Sequence, residues 1–148
     1  MSSVSGTDAE PPRLVIDAVG FVRALINPRS AWGAIVFVHS ETYTIVISNE
    51  IEDEILDVLE RPSITRKFDL LSGSLKAALN RMLAEADRVA LNEIPRICRD
   101  ANDDKFLATA VAGSAALIAT EDKDLLDMVE YEGIRIVSGV ELLRILRG

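Results

Sequence analysis

Cysteine and histidine are nearly missing from this chain of 148 residues: Cys98 and His39 are the single example of each. One cysteine cannot form an internal disulfide, and one of each cannot assemble the Cys/His ligand set of a zinc site. A Ser-His-Asp triad would have to spend His39, which sits on an apolar helical stretch with no nucleophile paired to it in sequence. His39 therefore reads as a helix-surface or packed residue. Also missing is any apolar run approaching the ~20 residues that span a bilayer, so no membrane association is expected. The opening MSSVSGTDAEPP has neither the basic start nor the apolar stretch of a signal peptide. These absences, with the sparse cysteine, lead us to expect a soluble protein of the reducing cytoplasm.

Basic residues are in the minority, 16 Lys+Arg against 24 Asp+Glu, for a formal net charge of −8. That balance argues against holding nucleic acid on a broad basic face. It does not exclude a protein that meets phosphate through bound cations.

What is present is a single domain of ordinary core content, 49% hydrophobic, large enough to fold without a metal or disulfide to staple it. Residues 1–12 are polar and read as a disordered tail, and residues 13–148 as the domain. Four short β-branched or apolar runs (13–17, 44–48, 115–120 and 134–137) alternate with helical periodicity over 19–26, 31–41, 49–60, 72–86, 103–112 and 140–146. Continuous apolar strands suit a parallel sheet covered on both faces. Strands alternating with helices predict an α/β fold, a three-layer α/β/α sandwich on a small, mainly parallel sheet. Pro62 and Pro95 read as helix exits or loops, and Trp32, beside Ile35 and Val36, as core or interface.

In an open parallel sheet the ligand site lies beyond the carboxyl ends of the strands, and here those ends carry acids. Asp17 directly follows Leu14-Val15-Ile16, and Asp122 follows the run that ends at Thr120. Each has a plainer reading as a helix N-cap or turn residue, but two after separate strands say more than one. Asp100, Asp103 and Asp104 lead into the helical pattern around Phe106, with Asp100 or Asn102 as its cap. At ~100° per residue, Asp103 points along the apolar face of Phe106, Leu107, Ala110 and Val111, while Asp104 lies about a quarter turn away. An inward carboxylate is costly without a cation or donor, which makes Asp103 the site candidate and Asp104 the solvated residue. In the helix after Ser48, Glu50 and Glu54 border one flank of the apolar face and Glu52 the other. Periodicity does not choose among them. Clustered carboxylates repel unless protons or hard cations neutralise them, and an all-oxygen set suits Mg²⁺ or Mn²⁺. Such a centre can activate water, hold a phosphorus for in-line attack and stabilise the leaving oxygen.

At these residues the chain resembles the PIN-domain family, and within it the VapC-like toxin ribonucleases of type II toxin–antitoxin systems. The resemblance runs from about Arg13 to Leu146, is most specific in RDANDDKFLATA (99–110) and ATEDKDL (119–125), and is supported by SNEIEDEILDVLERP (48–62). It implies a PIN-like fold, four acidic site residues at Asp17, Glu54, Asp103 and Asp122 with Asp124 as an auxiliary, and Mg²⁺ or Mn²⁺ as cofactor. It also implies hydrolysis of RNA phosphodiesters to a 5′-phosphate and a 3′-hydroxyl, inhibition by a cognate antitoxin, and a homodimer formed through the helices after Asp17. Arg61, Arg66 and Lys67 are candidate RNA-backbone contacts, with a solvated helix exit as the plainer reading.

The sequence departs from the family where Asp17 is followed by Ala18 and Val19 instead of Thr-Asn. Losing hydrogen bonds that orient a ligand typically costs 10–100-fold in metal affinity or activity. The alternative is therefore a catalytically weakened PIN-like module that binds RNA or protein. Glu121, where the family commonly has a small residue, is expected to add negative charge beside the site. Phosphatase or phospho-receiver chemistry fits less well: it would want a second Asp at Val19 or an acidic pair ending the first strand.

Overall fold

A computed structural model describes residues 10–69 and 73–148, leaving out the side chains at 65, 67, 68 and 69. The expected tail lies outside the described residues up to position 9, as do the start of the 72–86 helix and the side chain of Lys67. At the other end of the expected tail, the Pro12 carbonyl accepts from Thr44 N at 2.9 Å, so Pro12 already pairs with the sheet.

The β-branched runs form β1 (Arg13–Ile16), β2 (Thr44–Ile47), β4 (Leu117–Ala119) and β6 (Ile134–Val137). Two further strands, β3 (Asp87–Arg88) and β5 (Glu130–Tyr131), complete a six-stranded sheet of order β3-β2-β1-β4-β6-β5. Every pairing is parallel except β5 with β6. The expected four strands were too few because the additional ones are two-residue edge strands with polar sequences, which carry no apolar signal. They also blunt the sheet edges with charge.

The helices are α1 (Ala18–Ile26), α2 (Ala31–Gly33), α3 (Asn49–Leu59), α4 (Pro62–Asp69), α5 (Gly73–Glu85), α6 (Asp104–Ala112), α7 (Lys123–Leu126) and α8 (Gly139–Arg147). From β1 the chain crosses to β2 and then β3 in one direction, and from β3 it returns past β1 to β4 and on to β6. The reversal of crossover direction, with the usual right-handed connections, accounts for two helical layers: α1 packs with α2, α3, α4 and α5, and α6 packs on β1, β2 and β4. The α/β sandwich expected from the alternating pattern is the fold observed. Leu14, Ile16, Ile47, Phe21, Ile55, Leu107 and Ile118 fill its buried interior. Among the described residues no helix is long and apolar enough to cross a membrane.

One local expectation holds and another gives way to specific backbone chemistry. Pro62 stands just past the exit of α3, whose C-cap is Glu60, and also starts α4, where its fixed φ and missing N–H cost nothing. The helix expected over 31–41 is split into α2, a π-helical turn (Ala34–Val38) and a 3₁₀ turn (Ser40–Thr42). His39 N donates to Ala34 O at 2.9 Å, one residue further back than an α-helix would require, and the freed Ile35 carbonyl accepts from the buried Tyr43 hydroxyl at 2.8 Å. Trp32 is buried beside this turn, as core.

The turn into α2 is tight: a Cβ on Gly33 would lie 2.0 Å from the Pro28 carbonyl oxygen, a backbone atom that cannot rotate away. Gly33→Ala is expected to lower stability by about 1–3 kcal/mol, the usual cost of overpacking, read as a lower midpoint in urea unfolding.

Candidate metal centre

The crossover direction reverses between β1 and β4, and the ends of those two adjacent strands carry the acids. A switch point of this kind opens a crevice at the carboxyl edge of the sheet. Asp17 leaves β1 with its N–H on the Ala119 carbonyl (3.1 Å) and becomes the N-cap of α1, Oδ1 accepting from Gly20 N at 3.1 Å. Its other oxygen accepts from the Thr120 hydroxyl at 2.6 Å. Capping and site roles are therefore compatible, because they use different oxygens. Burial pushes the Asp17 pKa up, opposed by these hydrogen bonds, and the Glu54 charge adds to the rise.

Thr120, fully buried at the end of β4, is the residue the sequence reading passed over. Its hydroxyl donates to Asp17 and accepts Asp122 N at 2.9 Å, so one side chain ties the two strand-end acids together. Asp17 is thus held without polar side chains at Ala18 and Val19. The signal was available: a hydroxyl two residues before Asp122 is the pattern of a local side-chain-to-backbone turn.

Asp122 caps α7, accepting Asp124 N at 2.8 Å. Asp103 ends a 3₁₀ turn (Ala101–Asp103) capped by Asp100, and makes no capping bond of its own. Carboxylate oxygens of Asp103, Asp122 and Asp124 lie within 4.8 Å of one another. Asp103 is 6% exposed, and its Oδ2 is buried with no hydrogen-bond partner. Burial, and then the Asp122 charge, push its pKa up to about 7. The more exposed Asp124 is 3.4 Å from Arg99 Nη1.

Glu54 belongs to a second pair, beside Asp17. Ser48 caps α3 and bonds the Thr109 hydroxyl of α6 at 2.8 Å, and Thr109 donates in turn to the Lys105 carbonyl at 2.7 Å. This buried network sets the two helices so that Glu54 meets the Lys105 ammonium in an ion pair. Glu52, on the opposite flank, is bound by Arg88 at 2.9 Å at the sheet edge. The structure therefore separates the glutamates that periodicity left together. It brings Asp103, Asp122 and Asp124 into one cluster, ties Asp17 to Asp122 through Thr120, and leaves Glu54 near enough to Asp17 for their charges to interact.

Two acids behave otherwise than expected. Asp104 is buried, 1% exposed, not solvated: Oδ1 accepts Cys98 N (2.6 Å) and Ile97 N (3.1 Å), and Oδ2 is 3.8 Å from Arg96 Nε. The wheel treated α6 as an isolated helix, whereas the incoming segment folds over that side. Burial would raise the Asp104 pKa, but the backbone donors, with Arg96 adding, leave it lowered. Glu121 turns away from the acids, its Oε2 accepting Trp32 Nε1 (3.1 Å) and Gly139 N (3.0 Å) at the start of α8. Its charge is spent on an indole N–H and a helix N-terminus. Of the basic residues proposed for RNA, Arg61 pairs with Asp57 at 3.6 Å and Arg66 is exposed.

An all-oxygen donor set with an unpartnered buried oxygen fits a hard divalent cation. Without one, Asp103 carries a linkage cost. Its folded pKa, about 7, stands above its ordinary 3.8, so the stability it contributes is full below about pH 4 and is lost as pH rises through about 7. In EDTA, Asp103→Asn should gain on the parent protein in Tm across that window and level off above it. A difference that stays flat with pH would contradict this account.

The comparisons with known proteins agree with this architecture. The family model described as PIN domain matches residues 13–124, a span that includes all five acids. No curated protein matches the chain. Among solved structures, a chain from the crystal structure of VapBC2 from Rickettsia felis bound to a DNA fragment from their promoter is similar, with a TM-score of 0.53 and 13% identity, over 85% of this chain and 98% of that one. At that identity the likeness speaks for the fold. The family model covers most of the chain and all five of these acids, and on that ground the chain belongs to the PIN domain family.

Proposed function

We propose that the protein is a divalent-cation-dependent endoribonuclease, the toxin of a type II toxin–antitoxin pair. The observation that carries the reading is the convergence of Asp103, Asp122 and Asp124 at the carboxyl edge of the sheet, with a buried Asp103 oxygen left unpartnered. Asp17, Asp103 and Asp122 would hold Mg²⁺ or Mn²⁺, with Asp124 as auxiliary and Glu54 as a further ligand or a base for the attacking water. A bound cation would supply charge neutralisation and polarisation of the scissile phosphodiester. The chain's own contribution is orientation. Thr120 fixes Asp17 relative to Asp122, the cap of α7 points Asp122 toward Asp124, and the Asp104 anchor holds the start of α6 so that Asp103 faces inward. Hydrolysis then adds water at phosphorus and breaks the P–O3′ bond.

The likeness to a VapBC2 chain supports a cognate antitoxin as partner, and a second copy of the chain is the other partner this reading implies. The alternative, a weakened PIN-like module, rested on Ala18 and Val19. The bonds from Thr120 and Gly20 to Asp17 take over the orienting role those positions lack, and so favour the enzyme.

Purified protein should cleave single-stranded RNA with Mn²⁺ and not in EDTA, and Asp103→Asn should abolish cleavage. Equal activity in the variant would remove the proposed site. Thr120→Val keeps the shape of the side chain but deletes the donor to Asp17 and the acceptor for Asp122. It is expected to weaken Mn²⁺ binding by calorimetry about 10–100-fold while the protein stays folded by circular dichroism.

A further inference from the structure

Lys105 is placed against local electrostatics. It lies in the first turn of α6, where the helix dipole disfavours a cation, and its side chain is only 18% exposed. Ordering and burying a lysine stem costs rotamer entropy. What it gains is contact with Glu54 and a position 5.6 Å from the Phe106 ring centroid. Glu54 in turn is near enough to Asp17 for the two charges to interact. Arg99, which pairs with Asp124 of the cluster, is by contrast 82% exposed and heavily screened.

We propose that Lys105 is a positioning residue: it fixes the Glu54 carboxylate at the edge of the acid cluster and relieves the repulsion between Glu54 and Asp17, so that both are arranged to receive a divalent cation. The proposal rests on the metal-centre reading and adds a claim whose sign runs against simple attraction. A lysine that were only a nearby positive charge would repel a dication, and removing it would tighten binding. A lysine that holds a ligand in place does the opposite.

The test is Mn²⁺ titration by calorimetry, with no RNA present, on the parent protein and on Lys105→Met, which keeps an unbranched apolar stem over Phe106. Binding is expected to weaken about 10–100-fold in Lys105→Met, to recover largely in Lys105→Arg, and to show no further loss in Glu54→Gln/Lys105→Met relative to Glu54→Gln alone. Thermal unfolding of each variant checks that it is folded. If Lys105→Met does not fold, Lys105→Gln takes its place in the single and the double variant, with the same outcomes expected. Unchanged or tighter Mn²⁺ binding in folded Lys105→Met overturns the role of Lys105 alone, as does an additive loss in the double variant. Absence of saturable binding in the parent protein overturns the metal reading and this proposal together.

Discussion

Carboxylates gathered at one edge of a sheet repel one another, and burial magnifies the repulsion because little water remains to screen it. The neighbourhood of the switch point is organised around that constraint. Asp103 takes the largest share: burial and the Asp122 charge raise its pKa to about 7, and one of its oxygens has no partner. Asp104 likewise keeps one buried oxygen without a hydrogen bond, but its other oxygen and the remaining acids are tied by donors. Asp17 accepts from Gly20 N and Thr120, Asp122 from Asp124 N, and Asp104 from Ile97 N and Cys98 N.

Those donors explain why the chain turns as it does. Asp17 and Asp122 begin helices with one oxygen each, so the strand-to-helix turns and the metal centre are made by the same side chains. Thr120 joins the turns, using its single proton on Asp17 and a lone pair on the Asp122 amide. On the neighbouring strand end, Ser48 and Thr109 fix α3 against α6, which brings Glu54 to Lys105. Glu121, between Thr120 and Asp122 in sequence, ties the same turn outward to Trp32 and α8. Successive residues at the end of β4 thus face opposite tasks, the even positions toward the acids and Glu121 toward the packing of α2 and α8.

Much of this was legible beforehand where a residue's environment follows from its own strand or helix. The apolar runs gave the parallel core strands, and the position of Asp103 on the apolar face of α6 agrees with its burial. An environment is not legible where a residue outside the element itself supplies the partner. Asp104 was judged from its own helix, but the 96–98 segment covers it. Glu121 was judged from its neighbours in sequence, but its partners are 89 and 18 residues away. The 31–41 helix was judged from periodicity, but Tyr43 takes the Ile35 carbonyl and the backbone steps into a π turn.

The amino-acid sequence by itself determined the α/β class and the acids at the ends of β1 and β4, because strand burial and the sites that follow strands are written in local order. Tertiary structure alone decided which acids meet. Asp103 reaches Asp122 and Asp124 only once the return crossover from β3 has set α6 and β4 beside each other at the carboxyl edge of the sheet. Periodicity does not separate Glu54 from Glu52; the family resemblance points to Glu54, and the fold gives the physical difference, Glu54 facing Lys105 of α6 and Glu52 facing Arg88 at the sheet edge. Hydrogen bonds that close over 61 or 103 residues, Ser48 to Thr109 and Thr120 to Asp17, have no local signature, since their partners become neighbours only when the sheet is assembled.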